Sequence, residues 1–118
     1  MSSLSNYLRT NRKRAALSQE EAAFLLGING PNKASKVCRD ENFVREPTLQ
    51  AALAYEAIYG RPVRELFAGQ YQRIEKDVTV RAKVLAHRKD LKPNQKKHQT
   101  LAQLILRPVK PTISSNMP

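Results

Sequence analysis

Ser18-Gln19-Glu20-Glu21-Ala22-Ala23-Phe24-Leu25-Leu26-Gly27 is a helix with both of its ends written into it, followed by a turn signal and a second, basic helical stretch. Ser18 can accept from the backbone N–H of Glu21 while the Glu21 carboxylate reaches back to the Ser18 N–H, so two otherwise orphaned donors are satisfied reciprocally. Ala22, Leu25 and Leu26 follow the three-and-four spacing of one helix face, and Gly27 suits the left-handed residue that closes a helix. Small Ala22 and Ala23 allow a neighbouring helix to approach closely. An ordinary amphipathic helix shows the same pattern, and the surrounding segments decide between that and something more specific.

Upstream, Leu4, Tyr7 and Leu8 open a first helix that runs to about Ala16, with Arg9, Arg12, Lys13 and Arg14 placed so that several share its solvent side. Downstream, Asn29-Gly30-Pro31-Asn32 cannot continue a helix. A third helix starts near Asn32 or Lys33 and reaches about Glu41, with Val37 facing inward and a polar, basic outer face. Thr48 is a suitable N-cap for Leu49 to Tyr59, a run so evenly apolar that it belongs centrally in the core, with Glu56 emerging at its edge. Gly60 ends that helix, and Pro62 introduces a short one in which Val63, Leu66 and Phe67 close the core. Beyond Gly69, Tyr71, Ile74, Val78, Ala82 and Leu85 mark an amphipathic helix, and Gln95 to Leu106 is a weaker helical segment. The expected organisation is a domain over 1–69, a basic helical extension over 70–107 and a disordered tail over 108–118.

Charge narrows the partners. The chain of 118 residues carries 21 Lys and Arg against 10 Asp and Glu, a formal +11, which favours a polyanion and nucleic acid ahead of an anionic membrane. Residues 1–40 carry seven basic and three acidic groups (+4), 41–69 three and four (−1), and 70–118 eleven and three (+8). A nearly neutral, apolar middle between two basic segments reads as core flanked by contact surfaces. No apolar run reaches the roughly 20 residues that cross a bilayer and no signal-peptide region opens the chain, so a cytoplasmic protein with no membrane partner is expected. Cys38 is the only cysteine, which excludes an intrachain disulfide and a thiolate metal cluster. His87 and His98 lack carboxylates or thiols at ligand spacing and read as solvent-facing, with no metal and no cofactor expected.

Taken together, Leu8-Arg9, Arg12, Leu17 to Ala23, Leu26-Gly27, then Val37-Cys38-Arg39-Asp40-Glu41, Pro47-Thr48-Leu49 and Pro62-Val63-Arg64-Glu65-Leu66-Phe67 resemble the Cro/XRE, lambda-repressor-like helix-turn-helix family over residues 4 to 68. The resemblance implies an all-α, five-helix bundle, here with a C-terminal amphipathic extension. Two departures stand out. Nine residues, Ile28 to Lys36, separate Gly27 from Val37, a longer turn than the family norm. Phe43 stands where many members carry glycine, which speaks against the usual tight turn there and in favour of an extra apolar contact.

The family's third helix lies in the major groove of double-stranded DNA while the second crosses the phosphate backbone and offers its N-terminal N–H groups. By matching positions, Gln19 would contact phosphate and brace the third helix. Lys33, Ser35, Lys36 and Arg39 are the contact candidates on that helix, with Arg39 reading a base and the two lysines holding phosphates. Arg45 and Asn42 rank second as backbone contacts, Arg12 and Arg14 third, and for each basic residue the bland alternative is a solvated helix face. Cys38 is expected to pack as a small residue, and Glu41 to form a salt bridge with a basic neighbour.

The function implied by this resemblance is that of a non-enzymatic, sequence-specific transcriptional regulator, most simply a repressor acting as a homodimer on half-sites roughly 34–36 Å apart. Two other classes remain open: an antitoxin or accessory interaction protein that binds an acidic protein partner through residues 70–118, and nucleic-acid binding driven by charge alone. The Tyr71 to Leu85 stripe has three readings: docking on its own domain, pairing with a second copy, or holding a different protein.

Overall fold

Seven helices, and no strand, make up the regular structure of residues 6–90 and 92–106, the part of the chain that the computed structural model describes. They are α1 Leu8–Arg14, α2 Gln19–Leu25, α3 Lys33–Glu41, α4 Leu49–Tyr59, α5 Val63–Leu66, α6 Ala68–Ala86 and α7 Gln95–Leu106. The all-helical class expected from the periodicity is therefore observed. Leu4, expected in the first helix, and the tail expected over 108–118 lie outside the described residues. Two compact units divide the chain, one ending at Gln70 and the other beginning at Tyr71.

α1, α2 and α3 all stop by the same device. The backbone N–H groups of Leu17, Ile28 and Val44 donate to the carbonyls of Arg12, Ala23 and Arg39, each five residues back, at 3.1, 3.0 and 2.8 Å. One residue before each of these donors the chain turns left-handed, at Ala16 (φ 61°), Gly27 (φ 80°) and Phe43 (φ 56°). This is the Schellman closure, in which the turned residue is usually glycine because a Cβ costs about 1–2 kcal/mol there. Gly27 behaves as its sequence position predicts. At Phe43 the expectation is corrected: the tight turn forms without glycine, and the half-buried ring sits on a left-handed backbone. α1 likewise ends at Arg14 rather than Ala16, because Ala16 has already left helical geometry.

The N-terminal ends of α2 and α4 are capped as the sequence indicates. Ser18 Oγ accepts from the Glu21 N–H at 3.0 Å and Glu21 Oε1 accepts from the Ser18 N–H at 2.8 Å. Thr48 Oγ1 accepts from the Ala51 N–H at 3.1 Å, opening α4. Glu56 does more than mark an edge: its Oε1 accepts from the Val63 N–H at 3.0 Å and so caps α5 from across the α4–α5 turn.

Two clusters form the interior of the first unit. Leu8, Tyr55, Leu66 and Phe67 make one, joined by Ala51, Ala52, Tyr59 and Val63. Tyr55 stacks on Tyr59 with ring centroids 6.0 Å apart and meets Phe67 edge-on at 6.3 Å. Ala22, Ala23 and Val37 make the other, with Ile28 of the long turn packed against it and Leu26 shared by both. The alanines leave no side chain beyond Cβ between α2 and α3, so these two helices sit close.

Two packing expectations are corrected. Leu25 is 52% exposed, and Ala23 takes the inward place instead, so the buried face of α2 is Ala22, Ala23 and Leu26. α4 is not central: only Tyr55 on it is fully buried, while Leu49 and Leu53 are 74% and 53% exposed. A helix that is apolar all round carries no amphipathic signal of which face turns inward.

In the second unit, Ala82 of α6 and Leu101 of α7 are buried, and the Thr79 hydroxyl lies 3.0 Å from the Glu75 carbonyl and 3.4 Å from that of Leu104. α7 thus covers part of the α6 stripe. Tyr71, Ile74 and Val78 stay 38%, 46% and 38% exposed.

Ala16 gives a clean test of the first closure, because it is exposed and makes its contribution through the backbone. Ala16→Gly should stabilise the chain by about 1 kcal/mol, whereas Ala15→Gly, at φ −83°, should destabilise it by about 0.5–1 kcal/mol. Urea denaturation followed by circular dichroism measures both; equal signs at the two positions would refute the left-handed assignment.

Candidate nucleic-acid interface

α3 has two chemically different sides. Val37 and Asp40 are fully buried and the Glu41 side chain is only 2% exposed, all on the side toward α1, α2 and α4. At 100° per residue the opposite side carries Asn32, Ser35, Cys38, Arg39 and Asn42, with Lys36 at its margin. Arg39 and Asn42 are exposed. The outward face is therefore short and polar with one projecting guanidinium.

The inward face is unusual because it buries two consecutive carboxylates at a helix C-terminus, where the macrodipole disfavours negative charge. Each is held from several directions. Asp40 accepts from Tyr55 Oη at 2.7 Å through Oδ2 and from Arg45 Nε at 2.8 Å through Oδ1, while its backbone carbonyl accepts from Asn6 Nδ2 at 3.0 Å. Glu41 takes Arg12 in a two-point contact, Nε to Oε2 at 2.6 Å and Nη2 to Oε1 at 3.2 Å, and Gln19 Nε2 adds a bond to Oε1 at 3.2 Å. Arg12 Nη1 donates in addition to the Leu17 carbonyl at 2.9 Å. Hydrogen bonding to Glu41 raises the Arg12 pKa despite burial, and hydrogen bonding to Asp40 does the same for Arg45. Burial first, then the bond to Asp40, pushes the Tyr55 phenol far up, so it is a permanent donor.

This arrangement reassigns several sequence candidates. Arg12, ranked as an outer phosphate contact, is an internal clamp whose side chain is 11% exposed. The signal was available: Arg12 lies four residues after Leu8, on the buried side of α1. Glu41 has the basic partner expected of it. Gln19 braces α3 through Glu41. Arg45 is anchored to Asp40 with 40% of its side chain exposed, which fixes where its charge stands. Lys33 leans back onto α2, its Nζ 5.8 Å from the centre of the exposed Phe24 ring. The Ser35 hydroxyl donates to the Asn32 carbonyl at 2.8 Å within the first turn of α3, and Asn42 Nδ2 donates to Cys38 Sγ at 3.3 Å. Among the described residues, Lys36 and Arg39 enter no ion pair.

Sequence reasoning misses Arg9 and Lys13 as site residues. With Ser18, Gln19, Cys38 and Asn42 they line a shallow cleft where α1, the start of α2 and the end of α3 meet. Their charges extend the outward face of α3 onto α1; Arg14 is exposed as well. His87 and His98 are exposed, as expected. Among the described residues no group of three or more His, Cys, Asp or Glu could hold a metal ion, and no helix is long and apolar enough to cross a membrane. Comparison with known protein families, curated proteins and solved structures finds no match to this chain.

The Arg12–Glu41 pair should behave as a buried one. Arg12→Ala should cost about 3 kcal/mol by stranding Glu41, and the double change Arg12→Met with Glu41→Leu should recover most of it. A single-variant loss below about 1 kcal/mol in urea denaturation would place the pair among ordinary surface contacts.

Tyr59 supplies a pH test. Its buried hydroxyl has no hydrogen-bond partner among the described residues, and burial, reinforced by Glu41 and opposed by Arg12, pushes its pKa up from 10.0 to about 12. A raised folded-state value means the contribution is intact below pH 10 and fades as pH rises through about 12. Tyr59→Phe should therefore be neutral or stabilising at pH 7 and should lessen the alkaline loss, whereas Tyr55→Phe should destabilise by about 1–3 kcal/mol by removing a donor from Asp40. Denaturation midpoints at pH 7, 10 and 11 distinguish the two variants.

Proposed function

We propose that the first unit is a lambda-repressor-like helix-turn-helix domain and that the chain is a sequence-specific DNA-binding transcriptional regulator, most simply a repressor. The observation that carries this reading is the two-sided character of α3. Its inner side is pinned to three helices through Val37, Asp40 and Glu41, and its outer side presents Arg39 beside small polar residues. A helix entering a major groove needs both properties, rigid support behind and short hydrogen-bonding groups in front.

In this role Arg39 reads a base, since a guanidinium matches guanine O6 and N7 in two-point fashion. Lys36 at the margin and Arg9 and Lys13 on the neighbouring helix hold phosphates, which contribute affinity without sequence information. Arg45 contacts the backbone from a position set by Asp40, and Arg12 acts only as a support. Ser35 and Asn42 keep their place beside Arg39 as short polar contacts, and Gln19 couples a phosphate contact to the orientation of α3. Two copies on adjacent half-sites would double the contacted sequence.

Selection from a genomic fragment library at moderate salt tests this directly: recovery of a shared sequence is expected, and recovery no better than random fragments would sink the reading in favour of charge-driven binding. Arg39→Ala should lose about 1–3 kcal/mol of discrimination at one base position, while Lys36→Ala should weaken all sequences alike and flatten the salt slope by about one unit.

A further inference from the structure

The second unit exposes apolar surface in an arrangement its own helices do not cover. Tyr71, Ile74 and Val78 lie along one face of α6, and with Leu104 and Ile105 of α7 they line a groove whose polar lining is the two cations Lys76 and Lys83 with Gln72, Thr79 and the single carboxylate Glu75. The three α6 residues follow spacings of three and four, which is the spacing an opposing helix meets with its own apolar row. Three apolar side chains left 38–46% exposed in one row form a contiguous patch rather than scattered surface residues.

Charge selects among the occupants. The segment 71–118 carries eleven basic and three acidic residues, a net +8. Over the described residues 71–90 and 92–106 the balance is nine basic to three acidic, so a second copy docking here would set like charge against like, which opposes association. Duplex DNA matches the charge but offers no apolar row to fill the groove floor. A helix with an apolar stripe flanked by Asp or Glu satisfies both features at once, its stripe on Tyr71, Ile74 and Val78 and its carboxylates against Lys76 and Lys83.

We infer that the groove between α6 and α7 of the second unit is a docking site for an acidic amphipathic helix of another protein. This site is separate from the outward face of α3 and does not depend on what that face binds. Apolar burial supplies the attraction, and the lysines at the rim choose the sign of the partner and speed its approach. Thr79, whose hydroxyl reaches the Leu104 carbonyl, helps set the width of the groove.

Two synthetic helical peptides probe the site, identical in their leucine positions and differing only in carrying glutamate or lysine at the flanking positions. Fluorescence anisotropy with the full chain should show the glutamate peptide binding at least about tenfold more tightly than its lysine twin, by an amount that shrinks as salt rises. Val78→Asp should abolish binding, and the pair Lys76→Glu with Lys83→Glu should reverse the preference while circular dichroism stays unchanged. Because both lysines are exposed, the charge-reversed variant folds even if Val78→Asp does not. Equal binding of the twins, or no binding of either, overturns the inference. So does sedimentation showing a homodimer that the charge-reversed variant leaves intact and Ile74→Asp dissociates, because a second copy would then occupy the groove.

Discussion

Two neighbouring carboxylates at the end of α3, Asp40 and Glu41, hold the first unit in its arrangement. Neither has a favourable place on its own: both are buried, and both sit at the end of a helix whose carbonyls already carry negative partial charge. They are tolerated because donors converge on them from other parts of the chain. Tyr55 comes from α4, Arg45 from the loop after α3, Arg12 from α1 and Gln19 from α2. Burying an unpaired charge costs several kcal/mol, so positions of α3 that separate the carboxylates from these donors are strongly disfavoured. Apolar contacts at Ala22, Ala23 and Val37 bring α3 near α2, while the two carboxylates fix its rotation and slide.

Sequence carried the side-chain-capped helix starts and the glycine ends well, because these are local chemistry. Ser18 with Glu21, Thr48 and Gly27 each act within a few residues of themselves, and their structural roles agree with what their positions indicate. Rotation about a helix axis was less legible. Leu25 and Ala23 on α2, and Leu49 and Leu53 on α4, compete as apolar residues for the inward place, and only the identity of the neighbouring helix decides between them. Phe43 is a further case: nothing local favours a left-handed phenylalanine, and it turns because Val44 and Arg39 close the helix across it.

The candidate interface divides along the same line. Arg39 stands outward because its spacing from Val37 requires it, which the sequence shows by counting. Arg12 and Arg45 look equally available in sequence, yet each is committed to a carboxylate 29 and 5 residues away. Composition cannot separate a cation that meets a partner from one that holds the frame, since the distinction resides in which carboxylate the fold sets beside each one. Of the basic residues near α3, Arg9 and Lys13 gain importance and Arg12 loses it for this reason alone.

The close alanine contact between α2 and α3 has a consequence for how such a chain can diversify. Because Ala22 and Ala23 keep bulk out of the seam and the bonds that tie α3 to other helices lie on its inner side, the side chains of Ser35, Arg39 and Asn42 can be exchanged at the cost only of bonds within α3 itself. Exchanging them alters the chemistry offered to the outside without moving the scaffold that offers it. Outer chemistry and inner architecture are thus separately heritable: drift on one side of a single nine-residue helix alters only what it presents, while change on the other side dismantles its support.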